Sequence, residues 1–138
     1  MAFTGNFTCN TFKIGLLNGD FDFGSGTTDV YKIALYTNAA TLNQNTAAYT
    51  TDGEVVAPGY TAGGNVLAPT TGGPDGTSFV SFVNTSWSGA FTARGALIYK
   101  DGGAAVCVLD FGADRTSTTT FQVQFPNASI NSAIIRLS

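Results

Sequence analysis

At 138 residues the chain is of single-domain length, enough to bury about two-thirds of the surface it exposes when unfolded. It is 43% apolar but only 11% charged, with a net charge of −3, and its six cations (Lys13, Lys32, Arg94, Lys100, Arg115 and Arg136) are scattered, which argues against partners with phosphate backbones or anionic membranes. There is no histidine, so the commonest general base, metal ligand and pH switch are all missing, which lowers the expectation of an enzyme.

The N-terminal "MAFTGNFTCN" has no basic region followed by an apolar stretch, so it does not read as a signal peptide, and no run approaches the length of a membrane span. It reads either as an arm ordered on a neighbouring subunit, with Phe3 and Phe7 as anchors, or as a frayed terminus. "FKIGLLNGDFDFG" has two readings as well. Asn18-Gly19 suits a two-residue hairpin turn, whereas Phe12 and Leu16 at i, i+4 with Gly19 behind them suit a short helix and its C-cap. Gly15 counts against the helix by roughly 1 kcal/mol.

From residue 30 the chain reads as short strands broken by turns. "VYKIALYT" (30–37) is apolar on both faces, as a fully buried strand is. The polar stretch "TNAATLNQNTAAYTTDG" predicts a loop. "EVVAPGYTAGGNVLA" predicts two short strands interrupted at Pro58-Gly59 and Gly63-Gly64, and "PTTGGPDG" a turn. "TSFVSFVNTSWSG" alternates up to Trp87. "AFTARGALIYK" and "AAVCVLDFG" flank the hairpin signal Asp101-Gly102-Gly103. "TFQVQFP" turns Phe121, Val123 and Phe125 inward and Gln122 and Gln124 outward, and "SAIIRLS" is a last strand. About eight strands at this spacing predict an all-β, mainly antiparallel sandwich or jelly-roll in a single domain, 1–138.

Chemistry-bearing motifs are few. Asn18, Asp20, Asp22 and Asp29 fall at positions 1, 3, 5 and 12 of a calcium-loop spacing. The turn glycine of such a loop is replaced by Phe23, the terminal Glu by the shorter Asp29, and a strand follows instead of a helix, so no metal site is expected. The Asp-Phe-Gly triplet at 110–112 lacks every other kinase element and reads as a strand end with its turn. Asp101, Asp110 and Asp114 around one hairpin, and Asp52 with Glu54, are the only carboxylate groupings that could catalyse, and turns attract Asp for local hydrogen bonds in any case. No catalytic residue and no cofactor are expected. Cys9 and Cys107 read as two small buried thiols rather than a disulfide. The sequons at Asn6, Asn84 and Asn127 are what chance gives in a chain this rich in Asn, Thr and Ser. The aromatic residues read as core first, and as a sugar platform only if Trp87 or Tyr60 reaches a groove.

The stretch "TTDVYKIALYTNAATLNQNTAAYTTDGEVVAPGYTAGGNVL" (27–67) resembles a family of small β-rich virion proteins of tailed bacteriophages. The family opens with "F-K-x-x-L-L-x-G" and continues through "D-x-[FY]-K-[IV]-A-L-Y-T" and "E-V-x-x-x-G-Y-T-A-G-G". A later "G-A-x-I-Y" strand is echoed by "GALIYK" (95–100). The resemblance implies a helix at "FKIGLLNG", so that residues 1–29 form an arm, a short helix and a connector. It further implies a non-enzymatic capsid decoration or cement protein of the virion, made in the host bacterial cytoplasm. Its partners would be the major capsid protein or other virion proteins, and it would be a homo-oligomer, a dimer or trimer. The alternative is a tail-fibre or spike-associated module contacting a host surface glycan.

Overall fold

The run that reads as apolar on both faces forms the centre of the molecule. The computed structural model describes residues 3–24, 26–73, 76–129 and 132–137. Its elements are β1 (Phe7–Thr8), α1 (Asn10–Asn18), β2 (Tyr31–Tyr36), β3 (Asn65–Leu67), β4 (Pro69–Gly72), β5 (Ser78–Phe82), β6 (Thr85–Ser88), β7 (Thr92–Lys100), β8 (Ala105–Thr116), β9 (Thr120–Val123) and β10 (Ile135–Leu137). The strands make a five-stranded sheet in the order β1-β8-β7-β2-β3, a three-stranded sheet β10-β5-β4 and a pair β6-β9. Every one of these pairings is antiparallel. The fold is therefore all-β with one short helix and sandwich-like, with ten strands among the described residues rather than about eight.

Sandwich layering explains why β2 carries no alternation. Tyr31, Ile33 and Leu35 enter the larger core, together with Phe12 of α1, Phe82 of β5, Trp87 of β6 and Phe121 of β9. Ala34 and Tyr36 enter a second core with Phe3, Cys9, Leu42 and Leu97. Both faces of the five-stranded sheet are thus covered, one by the helix and the smaller sheets, the other by the N-terminus and the 37–53 loop. Phe3 is 1% exposed in that second core, and Phe7 packs against it. The N-terminal residues from Phe3 onward are therefore packed into the chain's own core. Gly95 makes the seat, because a Cβ there would lie 2.3 Å from the Phe3 ring.

The ambiguous "FKIGLLNG" is a helix. Gly19 takes the left-handed conformation (φ 80°), so its N–H donates to Leu16 O and that of Asp20 to Gly15 O, which closes the last turn as a Schellman motif. Gly15, the residue that argued against a helix, is there for packing. A Cβ on it would stand 2.5 Å from Cε2 of Phe21, which folds back over the helix and meets Phe12 edge-on at 4.9 Å.

Four segments differ from the sequence reading. "EVVA" forms only an isolated bridge, Glu54 to Tyr36, before the chain turns at Pro58-Gly59. "PTTG" is strand rather than turn, since Pro69 stands at the first position of β4, where its missing N–H costs no ladder bond. Pro74 and Asp75 of that predicted turn lie outside the described residues. "TSFVSFVNTSWSG" divides at Val83-Asn84 into β5 and β6, which belong to different sheets. The β7–β8 hairpin turns at Asp101-Gly102-Gly103 as expected, with Gly102 at φ 74°. Its second strand does not stop at the Asp-Phe-Gly triplet, however. Gly95 faces Asp110 and Ala93 faces Arg115, so residues 111–114 bulge out of the ladder, helped by Gly112 at φ 84°.

Candidate interaction surface

Of the carboxylates singled out in the sequence, Asp22, Asp29, Glu54, Asp101 and Asp110 are engaged within the fold, whereas Asp52 and Asp114 are exposed. Glu54 is buried, and its oxygens accept three hydrogen bonds, from the Tyr49 hydroxyl (2.6 Å), the Tyr60 hydroxyl (2.7 Å) and Gly63 N–H (2.8 Å). The Tyr60 oxygen in turn accepts Leu35 N–H of β2 at 2.9 Å, and the Tyr99 hydroxyl donates to Gly63 O at 2.7 Å. Burial, reinforced by the Glu54 carboxylate, pushes the Tyr49 and Tyr60 phenols well above the usual tyrosine range. Tyr99 is pushed up to about 12, first by burial and then by the charges of Asp101 and Glu54. A carboxylate held by three internal donors is an anchor, and what it anchors is the 49–63 segment against β2.

The hairpin aspartates do not converge. Asp101 at the turn pairs with Lys32 at 3.6 Å, whereas Asp110 pairs with Arg94 and lies opposite Gly95, six positions before Asp101. At the rise of a strand that separation is roughly 20 Å, beyond the span over which two carboxyls share a glycosidic bond. Burial opposes ionisation of Asp110, but hydrogen bonds from Gly112 N–H (2.8 Å) and Arg94 outweigh it and hold its carboxyl below the ordinary range. Arg94 also lies over the Phe3 ring at 5.7 Å. Asp114 is exposed in the bulge.

The calcium-like spacing has a packing origin. Asp20 and Asp22 are exposed while Phe21 and Phe23 between them turn inward, Phe23 stacking on Tyr31 at 4.5 Å. Asp22 Oδ1 accepts Gly24 N–H, and Asp29 Oδ2 accepts Asp22 N–H. The cation among them is Lys100, whose ammonium donates to Asp20 O at 2.6 Å and stands 3.2 Å from Asp29 Oδ1. Among the described residues no three Asp, Glu, Cys or His side chains gather as a metal site.

Cys9 and Cys107 are both buried free thiols, and burial pushes Cys9 up to about 11. Two of the sequon asparagines are occupied internally, Asn6 Oδ1 by Asp110 N–H and Asn84 Oδ1 by Phe125 N–H. Trp87 and Tyr60, which a glycan platform would have needed at the surface, are 4% and 9% exposed.

Part of the open surface is apolar. Ile14 and Leu17 project from α1, Leu17 at 85% exposure, and Leu137 projects from the edge strand β10. Between helix and strand runs a trough of about 790 Å³ floored by Phe12, Leu16 and Ile135, with Lys13 and Arg136 on its walls. It continues into a second hollow of about 330 Å³ over β4 and β5 that shares Phe12, Leu16, Ile135 and Leu137. The sequence carries a signal for this face. Phe12, Ile14, Leu16 and Leu17 spread apolar groups around the helix, yet a helix apolar all round is normally enclosed. No helix among the described residues is long and apolar enough to cross a membrane.

No family model, curated protein or solved structure matches the chain.

Proposed function

We propose that this chain is a non-enzymatic structural protein of a tailed-bacteriophage virion, a decoration or cement protein that docks on the head shell through the α1–β10 trough. The observation that carries the reading is the pair of exposed leucines that line that trough, Leu17 of α1 and Leu137 of β10, on a chain with few charged residues. Contiguous exposed apolar surface marks contact sites. Burying one leucine fully is worth about 1.5–3 kcal/mol, so each copy docks weakly and the symmetry of a shell multiplies the effect. The resemblance of residues 27–67 to virion proteins supports the same reading, as does a fold whose carboxylates serve as internal anchors.

The test is co-sedimentation of labelled protein with purified, tail-free heads, with host cells as the parallel target. Saturable binding at many copies per head is expected. Leu17→Asp should abolish that binding and leave the melting temperature within about 1 °C, because an exposed helix position contributes little to stability. Failure of the natural chain to bind heads, or equal binding by the variant, would overturn the reading. Binding to cells alone would place the protein on the tail.

A further inference from the structure

Among the described residues β9 pairs with β6 alone, so it is an edge of its pair. A cleft of about 380 Å³ is lined by residues 120–124 together with Phe111, Arg115 and Thr116 of β8 and Ser117 just after it. Successive side chains of a strand point to opposite faces, and here Phe121 and Val123 face the core while Thr120, Gln122 and Gln124 face solvent. A hollow bounded by five successive residues must therefore run along the edge of the strand. Alternate residues along such an edge direct both their N–H and C=O away from β6, into the cleft.

The chemistry of the walls narrows the occupant. Phe111 and Phe121 give an apolar floor, and Gln122 and Gln124 carry amides on the solvent face, already joined to each other at 3.0 Å. Arg115 is exposed, its one hydrogen bond is to Phe111 O at 3.2 Å, and it has no ion pair among the described residues. Among the described residues no acidic side chain lines the cleft. We infer that the β9 edge is a docking site for an extended peptide segment of another protein, added as a strand beside residues 120–124 with a carboxylate side chain placed against Arg115. Main-chain bonds supply the affinity of such an addition, and the carboxylate and one or two β-branched side chains supply its selectivity. The site lies apart from the α1–β10 trough, so it does not depend on head binding.

The experiment is selection from a random twelve-residue peptide library against the immobilised full chain, followed by amide hydrogen exchange with the best synthetic peptide. Enriched peptides should carry Asp or Glu within a β-branched run. They should slow exchange in residues 120–124 and bind about three- to fivefold more weakly to Arg115→Gln, the worth of an exposed ion pair. Arg115→Lys should retain most of the binding. No enrichment over a target-free control overturns the proposal, and so does binding that is indifferent to Arg115→Gln or protects amides elsewhere. A concentration-dependent dimer of the free chain with residues 120–124 protected would also overturn it, because the edge would then belong to a second copy.

Discussion

Replacing Glu54 by Ala removes the acceptor for three donors at once: the Tyr49 hydroxyl, the Tyr60 hydroxyl and Gly63 N–H. An orphaned buried donor costs about 1–3 kcal/mol, but relief of a buried carboxylate's own desolvation offsets part of the total. The expected loss is about 2–4 kcal/mol. Tyr60→Phe removes one of those donors and also strips Leu35 N–H of its partner at 2.9 Å, for about 2 kcal/mol. The two changes share the Tyr60–Glu54 bond, so the double variant should cost less than the sum by about 1 kcal/mol or more. Urea unfolding followed by the emission of Trp87, the single tryptophan, reads all three variants, because that ring is buried 6.0 Å from Tyr60. A Glu54→Ala loss below about 1 kcal/mol, or additivity within about 0.5 kcal/mol, would refute the anchor assigned to this carboxylate.

Gly64→Ala should cost about 2–4 kcal/mol in the same assay, since Gly64 sits at φ 79° and a Cβ would stand 1.7 Å from Ile33 O in the central strand. On the alkaline side, Cys9 and Tyr99 keep their protons to about 11 and about 12 in the fold, against 9.0 and 10.0 ordinarily. Their contribution is therefore complete below pH 9, and stability should fall progressively between pH 9 and 12, measured as melting temperature against pH. On the acid side, Asp110 has a folded value below its ordinary 3.8, so its contribution is present above that pH and is lost as pH falls further. Asp110→Asn should lower the melting temperature at pH 7 and flatten the loss below pH 4; an unchanged acid limb would remove Asp110 from its cause.

What was legible in the sequence is what local chemistry decides. "VYKIALYT" and "TFQVQFP" carry their burial in their own pattern, and Asp101-Gly102-Gly103 carries its turn in its own residues. What was not legible depends on partners distant in the chain. The break at Val83-Asn84 is set by Ala68, whose carbonyl takes Val83 N–H, and by Phe125, whose N–H goes to Asn84. The Arg94–Asp110 pair and the seating of Phe3 against Gly95 are likewise invisible until β7, β8 and the N-terminus lie together. Pattern leaves helix and hairpin open, because Asn18-Gly19 suits a turn and Gly15 has a low helix propensity, whereas in the fold Phe21 packs into the space that Gly15 leaves. The trough was half written, in four apolar residues around one short helix, and its other wall comes from β10 at the far end of the chain.

The acidic connector shows how packing can imitate a binding motif. A segment that must bring two phenylalanines inward on alternate positions leaves the positions between them to solvent, and Asp fills those at a spacing of two. Spacing of two is also what the first ligands of a calcium loop share, so the alternation accounts for Asp20 and Asp22, while Asn18 belongs to the end of α1 and Asp29 lies seven residues beyond Asp22. The fold then uses the acidic residues differently from an ion site. Lys100 projects from the end of β7 onto Asp20 O and Asp29 Oδ1, so the positive charge that ties connector to sheet is covalently part of the chain. The same side chain lies over the Phe21 ring at 5.8 Å, which links the ion pair to the aromatic cluster beneath α1. The orientation of α1, and with it the direction in which Leu17 faces, is thereby fixed by contacts within the chain before any partner arrives.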